Sequence, residues 1–134
     1  MITAIDTNVL LDLFLADPTH GARSARAVRQ ALVEGRLTAC EVVWAEVCTA
    51  FASAGEAEGA LGRLGVRYDP LGRPAAARAG DLWRVYREAG GGRARIVADF
   101  LVGAHALEYA DRLLTRDRGF FRGYFSGLEV VEPT

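Results

Sequence analysis

Lysine is absent from this chain: all 16 basic residues are arginine, set against 17 acids. Charges that nearly cancel give no whole-chain field to draw in a polyanion, so any nucleic-acid contact must be local. Arginine forks suit bidentate phosphate contacts, although a chain rich in alanine and glycine also fits simple coding bias. Cysteine is scarce. Cys40 and Cys48 lie in an apolar segment with no Cys-x-x-Cys and no neighbouring histidine pattern, which argues against a zinc site or a disulfide framework and reads as buried free thiols. No run of 18 apolar residues occurs, and the N-terminus lacks the basic start and long apolar stretch of a signal peptide. These absences point to a soluble, intracellular protein with no membrane segment. Its 134 residues, 51% of them hydrophobic, suffice for one domain spanning 1–134 and are too few for two ordinary ones.

What is present is organised around Met1 to Phe14, MITAIDTNVLLDLF. Ile2 to Ile5 reads as a short buried strand, Thr7 to Leu15 as a helix, and Asp6 sits between them. A second helix follows Asp17-Pro18, with Ala22, Ala25, Val28 and Leu32 on its apolar face and Gly35 at its end. Arg36 to Ala39 is a strand, Glu41 to Ala52 a helix apolar nearly all round, and Gly55 to Gly65 a weaker helix closing on glycine. Val66 to Leu71 reads as a strand and Pro74 to Ala89 as an amphipathic helix. Gly90-Gly91-Gly92 breaks the pattern, and with Arg93 and Arg95 forms a flexible basic approach to a helix over Ile96 to Tyr109. A strand over Arg112 to Thr115, a short aromatic helix over Gly119 to Phe125 and a strand over Leu128 to Val131 complete the chain. Strands alternating with helices predict an α/β fold with a parallel sheet covered on both faces.

Most of the acids fall in polar turns or on solvent faces. Four do not. Asp6 ends the first strand, Glu46 is flanked by Val42, Val43, Trp44, Ala45, Val47 and Cys48, Asp99 is embedded in IVADFLVGA, and Asp117 follows the strand RLLT. An unanswered carboxylate in such surroundings costs several kcal/mol or takes up a proton. If the four converge, one divalent cation or two neutralises them together, and hard oxygen ligands select magnesium or manganese over zinc. Convergence is plausible because Asp6 and Asp117 both follow strands of a parallel sheet and so share one edge, where ligands of open α/β sheets bind. Each acid also has a plainer reading: Asp6 as the cap of its helix, Asp99 as a first-turn acid complementing the helix dipole, Glu46 as partner of one arginine.

Taken together, IDTNVLLDLF, Glu46, DFLVGAHAL, LLTRDRGFFRGYF and a last strand before Pro133 resemble the PIN-domain ribonucleases, in particular the VapC-like toxins of type II toxin–antitoxin pairs. The likeness runs from Ile2 to Pro133, with specific ends and a generic middle between Gly55 and Arg95. It implies a PIN-like three-layer fold with a central parallel sheet of about five strands. It implies an acidic cleft binding Mg²⁺ or Mn²⁺ through Asp6, Glu46, Asp99 and Asp117, with Asn8 and Thr115 in support. The implied chemistry is cleavage of RNA by metal-activated water, leaving a 5′-phosphate and a 3′-hydroxyl, with Glu46 holding or orienting the water. Some relatives carry a further acid where Gly119 and Phe120 stand here, which puts a second metal in doubt. Arg93, Arg95, Arg116, Arg118 and Arg122 flank the cleft-bearing segments and are the expected RNA-backbone contacts. The implied partners are a VapB-like antitoxin and a second copy of the chain, in the cytoplasm.

Two groups stay outside this site. His105 lies six residues beyond Asp99, roughly 120° off its helix face, and reads as a packed core or interface histidine. Phe120, Phe121, Tyr124 and Phe125 read as core. Among rivals, a phosphoacceptor receiver domain and a haloacid-dehalogenase-type phosphatase each need a lysine, and the latter a second aspartate where Asn8 stands. A housekeeping RNA-processing nuclease, or a non-catalytic RNA-binding or assembly module of the same shape, remains as the alternative.

Overall fold

A computed structural model describes residues 1–134. The chain alternates as expected: β1 (Ile2–Ile5), α1 (Thr7–Phe14), α2 (Gly21–Glu34), β2 (Arg36–Ala39), α3 (Glu41–Cys48), α4 (Ala54–Leu64), β3 (Val66–Tyr68), α5 (Gly72–Glu88), α6 (Val97–Tyr109), β4 (Arg112–Leu114), α7 (Arg118–Tyr124) and β5 (Val130–Val131). All five strands are parallel, in the order β3-β2-β1-β4-β5. From β1 the chain winds outward to β3, then crosses back to β4 and β5. Right-handed crossovers therefore put α1 to α4 on one face of the sheet and α5 to α7 on the other. The reversal falls between β1 and β4, and their carboxyl ends open the crevice expected of such a switch point.

Element ends depart from expectation where a local signal overrides periodicity. α3 stops at Cys48 rather than Ala52, because Ser53 starts a new helix by accepting the Glu56 N–H at 3.2 Å. α5 begins at Gly72, ahead of Pro74. A proline in the first turn loses an N–H that would have had no intrahelical partner there. β3 ends at Tyr68, just before Pro70, and β5 shortens to two residues after the turn at Gly127, φ 88°. α3 is also less enclosed than its composition suggests: Val43 and Val47 are buried, while Ala45 and Glu46 are exposed.

The core continues through the sheet into an aromatic cluster. Phe100 on α6 meets Tyr86, Phe120, Tyr124 and Phe125 at ring-centroid separations between 5.2 and 6.3 Å, edge to face with Phe120 and Tyr124 and tilted against the other two. Gly103 makes this possible, since a Cβ there would lie 2.4 Å from the Phe125 ring. The cluster anchors α6 immediately beside Asp99. Cys40 is buried, Cys48 half-buried and both are free, and burial pushes the Cys40 thiol up. No helix is long and apolar enough to cross a membrane.

Candidate active site

A cleft of about 390 Å³ opens at the carboxyl ends of β1 and β4, and Asp6, Glu46, Asp99 and Asp117 all line it, with Thr7, Asn8 and Ile96 among the other walls. Four elements supply the four acids. Each also has a local partner, so the plainer readings and convergence hold at once for two of them. Asp6 caps α1, its Oδ1 accepting the Thr7 N–H at 2.8 Å. Asp99 accepts the Ile96 N–H at 3.0 Å at the start of α6. Glu46 has no arginine partner, so its plainer reading falls away; it departs from expectation in being exposed at the rim, where Oε1 accepts the Thr7 hydroxyl at 2.8 Å.

Thr115 ties the two strand-end acids together. Its hydroxyl donates to Asp6 Oδ2 at 2.7 Å and accepts the Asp117 N–H at 3.0 Å. Asn8 holds the same loop, its Oδ1 accepting the Arg116 N–H at 3.3 Å. The Asp6 pKa is raised from 3.8 to about 6, chiefly because burial strips water from the carboxylate, with Glu46 and Asp99 adding repulsion. Asp117 is relieved differently: Arg95 donates to its Oδ2, while the same guanidinium carbon lies 4.1 Å from the centre of the Phe120 ring.

No three His, Cys, Asp or Glu side chains stand close enough to grip an ion directly. The donor set still fits Mg²⁺ or Mn²⁺. Magnesium usually keeps several waters and takes only one or two carboxylates, with substrate phosphate completing its shell. Asp6, half-buried, protonated too easily and repelled by two neighbouring acids, is the atom group a cation would relieve. A second cavity, about 380 Å³, is lined by Thr3, Arg26, Gln30, Glu34 and Arg112. There Glu34 is already occupied by Arg112 at 2.8 Å and Gln30 at 2.5 Å, so it offers no comparable set.

The five arginines separate. Arg93, Arg118 and Arg122 are exposed, and Arg118 faces Glu132 at 3.7 Å. Arg95 reaches into the cleft. Arg116, expected with the RNA-facing set, turns away and forks onto Asp12, with Nε 2.8 Å from Oδ2 and Nη2 3.1 Å from Oδ1. Asp12 is the acid that sequence reasoning passed over: it is 3% exposed and also accepts the Ser24 hydroxyl at 2.6 Å. The missed signal is its place one turn after Asn8 on α1, on the face that meets the β4–α7 loop. His105 is buried away from the cleft, tilted against Tyr109 at 5.5 Å with Nε2 unpartnered, and burial lowers its pKa.

A family model for the PIN domain matches residues 3–125. No curated protein matches the sequence significantly. Among solved structures, VapBC2 from Rickettsia felis bound to a promoter DNA fragment is 17% identical, with a TM-score of 0.73 over 98% of each chain. VapBC-1 from nontypeable Haemophilus influenzae is 20% identical, TM-score 0.73, again over 98% of each. The sarcin-ricin-loop-cleaving toxin VapC20 of Mycobacterium tuberculosis is 20% identical, TM-score 0.68, covering 98% of this chain and 99% of that one. At these identities the likeness is one of fold. With the family model spanning nearly its whole length, and with this strand order beneath it, the chain belongs to the PIN domain family.

Proposed function

We propose that this chain is a divalent-metal-dependent endoribonuclease acting as the toxin of a cytoplasmic toxin–antitoxin pair, with a small VapB-like antitoxin and a second copy of itself as protein partners. The observation that carries the reading is the convergence of Asp6, Glu46, Asp99 and Asp117 from four elements on one cleft at the sheet's switch point. The VapBC assemblies and the RNA-cleaving VapC20 among the similar structures support the toxin part and the choice of RNA.

A bound Mg²⁺ or Mn²⁺ would lower the pKa of a water and polarise the scissile phosphate. Asp6 and Asp99 are the residues to hold it, with Asp117 joining once Arg95 lets go. Thr115 and Asn8 keep Asp6 and the Asp117 loop in register. Glu46, at the rim and tethered by the Thr7 hydroxyl, orients the attacking water and takes its proton. The water oxygen bonds to phosphorus as the bond to the ribose 3′-oxygen breaks. That oxygen takes a proton from solvent, leaving 5′-phosphate and 3′-hydroxyl ends. Arg93, Arg95, Arg118 and Arg122 are the candidates for the RNA backbone.

Incubating the purified chain with a structured RNA and Mg²⁺ or Mn²⁺ tests this. Cleavage should stop in EDTA and fall at least about a thousandfold in Asp6→Asn and Asp99→Asn, since removing one member of a catalytic set disables the set. Cleavage that persists in EDTA or in either variant contradicts the mechanism. Growth arrest on expressing the chain alone, relieved by a small partner encoded beside it, separates a toxin from an RNA-processing nuclease.

A further inference from the structure

Asp12 and Arg116 line none of the cleft. Yet Arg116 sits between Thr115 and Asp117, the two residues of the β4–α7 loop that the cleft uses. α1 grips that residue twice: Asn8 Oδ1 accepts its backbone N–H at 3.3 Å, and Asp12, one turn further along the same helix face, takes its guanidinium in a fork of 2.8 and 3.1 Å. The same helix carries Asp6 at its N-cap. One rigid element thus fixes both Asp6 and the loop that presents Asp117. Ser24 on α2 adds a third donor to Asp12, at 2.6 Å, so the carboxylate cannot swing toward another partner without losing all three bonds.

We infer that the buried Asp12–Arg116 pair is a positioning clamp that sets where Asp117 stands relative to Asp6, and through that spacing governs metal affinity. The inference rests on the proposed metal-dependent activity and deepens it. The clamp has a second effect. It sequesters a guanidinium adjacent in sequence to Asp117, which would otherwise compete with a cation for the cleft acids. A salt bridge with a purely structural role would support folding and leave the cleft's affinity alone.

The test is titration of the full chain with Mn²⁺, following free Mn²⁺ by electron paramagnetic resonance, at a temperature where circular dichroism shows each variant folded. Wild type, Asp12→Asn, Arg116→Gln, the double Asp12→Asn/Arg116→Gln, Arg116→Lys and Ser24→Ala are compared, with Asp6→Asn as control. Both single variants should bind Mn²⁺ about 10- to 100-fold more weakly, the range for residues that orient metal ligands from behind. The double, whose buried amides leave no unpaired charge and which guards against misfolding of the singles, should lose no more than either single. Arg116→Lys should recover part of the affinity, and Ser24→Ala should lose about two- to threefold. On RNA the Mn²⁺ concentration giving half-maximal rate should rise in step with the loss of affinity, with KM for RNA little changed. Affinity equal to wild type in the folded double, with Asp6→Asn abolishing binding, overturns the clamp and leaves the proposed function standing. Mn²⁺ binding that is absent in wild type, or indifferent to Asp6→Asn, overturns both.

Discussion

Two arginines flank Asp117, and the molecule treats them oppositely. The side chains of Arg95 and Arg116 are almost equally exposed, 27% and 32%, so burial of the arginine does not distinguish them. The carboxylates do: Asp12 is 3% exposed and carries three hydrogen bonds, whereas Asp117 is 34% exposed and faces the cleft with Arg95 as its one charged partner. A buried acid cannot let its cation go, because water is not there to replace it. A cleft acid can. Arg95 also follows Gly90-Gly91-Gly92 and has the Phe120 ring as a second resting place. The Asp12 pair fixes the loop that presents Asp117, and the Arg95 pair offsets the charge of Asp117 alone at the open cleft.

The sharpest break of that contrast is in stability. Arg116→Gln should lower the unfolding free energy by about 3–5 kcal/mol, because it leaves the buried Asp12 carboxylate without its counter-charge, whereas Asp117→Asn should change it by less than about 1 kcal/mol. Urea denaturation of both variants measures the difference, and equal losses would erase the distinction. Next in size is pH. Folded Asp6 keeps its proton to about pH 6, while the unfolded chain loses it near 3.8. The folded state therefore holds the extra proton in between, and stability falls as pH rises from about 4 to about 6, by no more than about 3 kcal/mol, and is flat above. His105 acts the other way: held neutral by burial, it lowers stability as pH drops below 6.5. Because both chains carry His105, the stability of Asp6→Asn minus that of wild type isolates Asp6. This difference should grow up to about pH 6 and then level, and Mg²⁺ should shrink it. The smallest effect sharpens the other side of the comparison. Arg95→Gln should raise Mn²⁺ affinity a few-fold, with a stability change of less than about 1 kcal/mol. A loss of affinity in Arg95→Gln would show that the guanidinium is part of the site rather than its placeholder.

These contrasts also mark what the sequence could disclose. The strand ends β1 and β2, the strand-helix alternation and the four cleft acids were legible because each leaves a local mark: an apolar run stopped by an acid, or an acid inside an apolar helix. Glu46 was legible as an anomaly but not as an exposed residue, since α3 has an open side that its composition hides. Asp12 left no mark, because an aspartate six residues past Asp6 on an amphipathic helix looks like a solvent-facing charge until α2 brings Ser24 and the β4–α7 loop brings Arg116 against it. For the same reason sequence alone places Arg116 among the RNA-facing arginines. Pairing across more than a hundred residues is a property of the sheet order, which periodicity does not encode. Helix ends moved for small reasons, a serine cap at Ser53 and a proline tolerated in the first turn of α5.

If the cleft acids share one cation with Asp6 at its heart, Mn²⁺ titration of wild type against Asp6→Asn at pH 7.5, with the apo stability of each measured alongside, will show it. Wild type should bind Mn²⁺ and gain stability on doing so, while Asp6→Asn should be the more stable apo protein and bind at least about a hundredfold more weakly. Equal Mn²⁺ affinity in the two chains would contradict it.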